Sequence, residues 1–75
     1  MQELLGFLVR SLVREPEAVE IAAGERRGEP TLRIRVALDD RGVVIGREGR
    51  TIKAISTVLR AATPDGRAPG LEIED

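Results

Sequence analysis

Two glycines three residues apart, Gly46 and Gly49, interrupt VVIGREGRTIKAI (Val43–Ile55), with Arg47 and Glu48 between them and apolar runs on either side. No single helix or strand runs comfortably through that stretch. Glycine inside an element costs backbone entropy, whereas in a bend it opens conformations closed to other residues and lets another chain approach closely. The sequence therefore predicts two elements joined by a tight, polar, glycine-walled turn. A core has no use for such a turn, but a backbone that must press against an anion does.

The flanking patterns supply the rest of the fold. Leu4, Leu5, Leu8 and Leu12, with Phe7, Val9 and Val13, recur at helical spacing. Pro16 disfavours helix at Glu15, so this first helix is expected to close near Arg14. Val19, Ile21 and Ala23 then alternate with Glu20 and Ala22 as a short strand. GERRGEP (Gly24–Pro30) reads as a polar connection to a second, antiparallel strand with Leu32, Ile34, Val36 and Leu38 on one face and Arg33, Arg35 and Ala37 on the other. Asp39 and Asp40 are placed to cap a short helix running toward Ile45. Beyond the glycines, Ile52, Ile55, Leu59 and Ala62, widened by Ala54 and Val58, mark a further helix that TPDGRAPG (Thr63–Gly70) stops. Leu71 and Ile73, alternating with Glu72 and Glu74, make a last strand. The expected architecture is α+β in the order α-β-β-α-α-β, three helices on one face of a three-stranded sheet, as one domain over residues 1–75.

Composition narrows the function. With no cysteine and no histidine, the chain lacks thiolate chemistry and the commonest general base and metal ligand. Paired catalytic carboxylates at Asp39 and Asp40 are disfavoured because no third ligand or base lies near them in sequence. Apolar stretches too short for a bilayer, and no leader-like N-terminus, make the cytoplasm the default location. The formal charge of −1 conceals an uneven distribution. Arg41, Arg47, Arg50, Lys53 and Arg60 face Glu48 alone between positions 41 and 60, a local net of +4. Eleven of the twelve basic residues are arginine, a bias that needs no functional cause.

A helix beginning near Arg50 would present unpaired amides and partial positive charge to the turn, which favours phosphate. Arg47 would project from the tip, with Arg50 and Lys53 on one side of the following helix. The nucleotide P-loop spacing fails, since Gly42 is followed five residues on by Arg47, and Gly46 by Thr51. The G-x-G-x-x-G dinucleotide pattern is absent as well. A bare G-x-x-G between helices remains.

VIGREGRTIKAI resembles the KH-domain core V-I-G-x-x-G-x-x-I at Val44, Ile45, Gly46, Gly49 and Ile52, and the element order is similar to the type II, prokaryotic arrangement. Together with EPEAVE and the ending LEIED, the chain resembles the KhpA (YlqC) family of small bacterial single-KH RNA-binding proteins. The resemblance implies a non-enzymatic domain, without metal or cofactor, that clamps about four nucleotides of single-stranded RNA. By position, Gly46, Arg47, Glu48 and Gly49 are the clamp, and Val44 and Ile45 belong to an aliphatic wall for the bases, with Ile34 or Val36 beneath it. Arg50, Thr51 and Lys53 complete the implied site. It also implies RNA-chaperone or post-transcriptional regulatory work, and self-pairing or pairing with a larger KH protein of the Jag type. Its alternative is a dimerising interaction module with vestigial RNA binding. Glu48 inside the clamp, and Val43 where relatives often carry lysine, point to weak binding. Arg33 and Arg35 are expected to pair across strands with Glu20, Glu72 and Glu74, and Arg26 and Arg27 to lie in a solvated loop.

Overall fold

The first helix, α1, spans Gln2–Leu12 and buries Leu5, Gly6 and Val9. It stops two residues short of the expected Arg14. The amides of Arg14 and Glu15 donate instead to the two carboxylate oxygens of Asp40, each at 3.1 Å, so they are unavailable for another helical turn. A 3₁₀ turn at Pro16–Ala18 then leads into the sheet. This computed structural model describes residues 1–74.

Strands β1 (Glu20–Arg26) and β2 (Glu29–Arg35) pair antiparallel without a break, from Glu20 opposite Arg35 to Arg26 opposite Glu29. The expected connection Gly24–Pro30 thus shrinks to Arg27 and Gly28. Both have positive φ, 54° and 81°, the mirror-image turn whose twist matches that of the flanking strands. Five residues that read as polar loop are strand because composition reports solvent exposure, not backbone conformation. Pro30 is tolerated near the start of β2, one residue before the pairing with β3 begins at Thr31. Strand β3 (Gly70–Ile73) lies parallel to β2, giving the sheet order β1-β2-β3.

Between β2 and β3 come a 3₁₀ turn (Leu38–Asp40), helix α2 (Arg41–Ile45), a second 3₁₀ turn (Arg47–Gly49) and helix α3 (Arg50–Ala61). Apart from the 3₁₀ turns, the order is the expected α-β-β-α-α-β. The core is aliphatic: Leu5, Val9, Val19, Leu32, Ile34, Val36, Val44, Ile55 and Leu59. Ile34 and Val36 therefore belong to it, as does Val44.

Four expectations change here. Leu38 is 74% exposed, because the chain has left the sheet by Ala37 and turns into α2. Ala54, Val58 and Ala62 are exposed rather than facing the core. Asp40 does not cap its own helix through its side chain; it is buried, 2% exposed, and holds the exit of α1. Arg26 belongs to β1 and reaches Glu72 at 3.4 Å.

The face of the sheet away from the helices carries charges in rows. Arg35 lies 3.6 Å from Glu20 and 3.2 Å from Glu74, and Arg33 lies 3.9 Å from Glu72. Each exposed pair contributes only about 0–1 kcal/mol, but together they neutralise the arginines of that face.

Candidate nucleic-acid interface

Helix α2 is only five residues long, and Gly46 terminates it by donating its amide to the Gly42 carbonyl at 2.8 Å. Gly46 has φ 77° and ψ 171°, a region that essentially only glycine enters. A β-carbon there would lie 2.7 Å from the Thr51 backbone nitrogen and would also strike the Thr51 hydroxyl. The first glycine is thus required by shape and by a close backbone approach.

Arg47, Glu48 and Gly49 form a single 3₁₀ turn in which Glu48 (φ 56°, ψ 26°) and Gly49 (φ 74°, ψ 15°) are left-handed. Gly49 donates to the Gly46 carbonyl at 3.1 Å, and Arg50 to the Arg47 carbonyl. This corrects the expectation of unpaired amides at the start of α3. The Gly46 amide closes the end of α2, and those of Gly49 and Arg50 are engaged within the turn, because closing a 3₁₀ loop consumes donors that an open one would leave free. What the turn offers an anion is chiefly its side chains and the positive end of α3.

Arg47, Arg50 and Lys53 are all exposed. Glu48 is exposed too, and lies 3.7 Å from the Arg50 guanidinium, offsetting part of the positive field. Thr51 is half-buried and packs beside Gly46.

The aliphatic surface next to the turn differs from the expected one. Val44 is fully buried, so its side chain supports α2 and presents nothing to a ligand. Ile45 is half-buried. The exposed apolar side chains nearby are Val43, 45% exposed, and Leu38. Leu38 heads the turn that runs directly into α2, since Arg41 donates to its carbonyl. By helical spacing it shares a side with Gly42 and Ile45. The alternation of β2 extends to Leu38 and would place it on one face with Leu32, Ile34 and Val36. The signal against that was the polar pair Asp39–Asp40 immediately after it, which marks a turn.

Comparison with known proteins gives a consistent result. The family model described as "KhpA/KhpB, KH domain" matches residues 2–68. The "RNA-binding protein KhpA" of Streptomyces coelicolor is 39% identical over 75 residues, covering 100% of this chain and 92% of the relative. That of Chlamydia trachomatis is 40% identical over 74 residues, 97% of this chain and 95% of the relative. A Thermotoga maritima protein of the same description is 37% identical over 67 residues, 89% of each. No solved structure matches the chain significantly.

Proposed function

The chain belongs to the KhpA/KhpB KH-domain family, and from that premise we propose that it binds single-stranded RNA at the Gly46–Gly49 turn. The observation carrying the reading is a glycine-shaped turn with three exposed cations on it and on the first turn of α3. Arg47 meets a phosphate at the tip of the turn, and Arg50 and Lys53 follow the strand along α3. Gly46, Glu48, Gly49 and Thr51 set the shape of the turn, which brings the sugar–phosphate backbone close. Ile45, joined by Leu38, forms the wall for bases, with Val44 holding α2 from behind. Bases resting on aliphatic surface suit a chain with a single aromatic residue. The function is binding, in the manner of an RNA chaperone or post-transcriptional regulator in the cytoplasm, and no catalytic step is involved.

Fluorescence anisotropy with short labelled single-stranded RNAs tests the reading. Arg47→Asp exchanges an attraction for a repulsion, so affinity is expected to fall by roughly tenfold, about 1.4 kcal/mol. With two or three phosphate contacts, the log–log salt slope is expected at about −1.5 to −2. Glu48→Gln frees Arg50 from its neighbour and is expected to tighten binding by about two- to fivefold, the range of one exposed ion pair. Unchanged affinity in both variants would remove the turn from the site.

One feature favours a second reading, pairing with another KH protein such as a larger one of the Jag type. Leu8, Leu12, Thr51, Ala54, Ile55 and Val58 line a shallow apolar groove between α1 and α3, the kind of exposed patch that marks interaction surfaces. If wild type and Arg47→Asp bind RNA alike, or neither binds at low salt, the interaction module is the better account.

A further inference from the structure

Helix α3 reads RTIKAISTVLRA and carries no acidic residue. A helix face that merely meets water usually mixes both signs, because opposite charges three or four residues apart stabilise it. Here Arg50, Lys53, Thr57 and Arg60 recur at intervals of three, four and three, so they form one exposed stripe along the helix. Glu48, 3.7 Å from Arg50, balances the first of them in part. Among the described residues, Lys53 and Arg60 have no carboxylate within ion-pairing distance, whereas Arg26, Arg33 and Arg35 on the sheet are each matched to at least one.

The obvious account of Arg60 is that a cation in the last turn offsets the negative end of its helix. The side chain argues otherwise. Nη2 of Arg60 donates to the Thr57 hydroxyl at 3.3 Å, and that hydroxyl donates to the Lys53 carbonyl at 3.1 Å. The guanidinium thus leans back over the preceding turn, toward the Gly46–Gly49 end and away from the last carbonyls, in the direction helical side chains favour. One hydroxyl joins Lys53, Thr57 and Arg60 into a continuous polar patch.

From Arg50 to Arg60 the helix rises about 15 Å. That length takes about four phosphates at the roughly 3.4 Å spacing of a stacked strand, and fewer in a stretched one. A row of cations without counter-charges fits a flexible polyanion better than a single phosphate group. A folded protein partner would need acids in matching register, whereas a nucleic-acid strand brings an anion with every nucleotide.

We propose that Arg60, positioned by Thr57, extends the RNA site: a strand held at the Gly46–Gly49 turn continues along α3 past Lys53 and gives a further phosphate to Arg60. The site is then matched to strands longer than the turn alone can hold. The track rests on the turn being an RNA site, but its failure has a different signature.

Anisotropy of the full chain with labelled oligouridylates of about four nucleotides, the length a KH clamp holds, and of about twice that length tests it. Extra registers on a longer strand raise affinity without changing the salt dependence. An added phosphate contact is expected to steepen the log–log salt slope by about 0.7. Arg60→Gln is expected to weaken binding of the longer strand by about three- to fivefold, the upper range of one exposed ion pair, to restore the shallower slope and to leave the shorter strand unaffected. Arg67→Gln removes an exposed arginine outside the stripe and is expected to change neither. Thr57→Val keeps every charge but releases Arg60, so it is expected to weaken the longer strand alone, and less than Arg60→Gln does; Thr57→Ser is expected to bind like wild type.

The proposal is overturned if the slope does not steepen with length, if Arg60→Gln binds both strands like wild type, or if it weakens both alike or no more than Arg67→Gln. An unaltered Thr57→Val would remove the positioning role of the hydroxyl. Should Arg47→Asp weaken both strands while Arg60→Gln weakens neither, the turn stands and the track is gone. Should Arg47→Asp weaken neither, the turn is not the site and the track goes with it.

Discussion

Gly46→Ala is expected to lower RNA affinity by at least about tenfold, and Gly49→Ala by far less, although the two glycines look equivalent in sequence. Gly46 occupies a backbone region nearly closed to other residues, which costs on the order of 1–3 kcal/mol for alanine. Its β-carbon would also lie 2.7 Å from a backbone nitrogen of α3, so the turn must move to admit it. Gly49 is merely left-handed, and a β-carbon there meets nothing nearer than Ile52 Cγ2 at 3.9 Å. Its replacement costs roughly 1–2 kcal/mol with no collision. Truncating Thr51 to alanine removes the hydroxyl but not the backbone nitrogen, so Thr51→Ala is not expected to rescue Gly46→Ala. Anisotropy measured beside urea melts separates loss of the turn from loss of the fold. Equal losses at both glycines would show that the turn's geometry does not govern binding.

The largest expected loss of stability lies elsewhere. Asp40→Ala removes the acceptor for two backbone amides joining the exit of α1 to the start of α2. Hydrogen bonds to a charged group contribute about 1.5–3 kcal/mol each, so destabilisation by roughly 3 kcal/mol or more is expected. For a domain of this size that corresponds to a Tm lowered by about 10–20 °C. Asp40→Asn keeps one acceptor oxygen and is expected to fall between. Asp39→Ala, at an exposed position, is expected to change little. A urea melt of Asp40→Ala that overlays the wild type would show that the pair of bonds is dispensable.

Such a tie is hard to read from sequence, because its partners lie 25 and 26 positions apart. Local pattern recognises Asp–Asp before an apolar run as a helix cap, and the same residues serve that grammar and a tertiary bond equally well. Leu38 illustrates a related failure: alternation tells which side a residue would face if the strand continued, not where the strand ends. The element order, the turn at Gly46 and Gly49 and the cross-strand pairing of Arg33 and Arg35 were legible, since each rests on short-range periodicity or adjacent charges. The engagement of the Gly49 and Arg50 amides was not, because it depends on how tightly the turn closes. The same limit applies to the hairpin, where Arg27 takes a left-handed conformation that its side chain does not announce.

Phe7 is 66% exposed on α1, and among the described residues the core contains no aromatic ring. The folded chain is therefore optically quiet in the near ultraviolet, where asymmetrically packed aromatics generate circular dichroism. Cooperative melting has to be followed through the peptide bands, or through a reporter placed deliberately. The same silence is an advantage when nucleic acid is present, since spectral changes in a mixture then report the bases and not the protein.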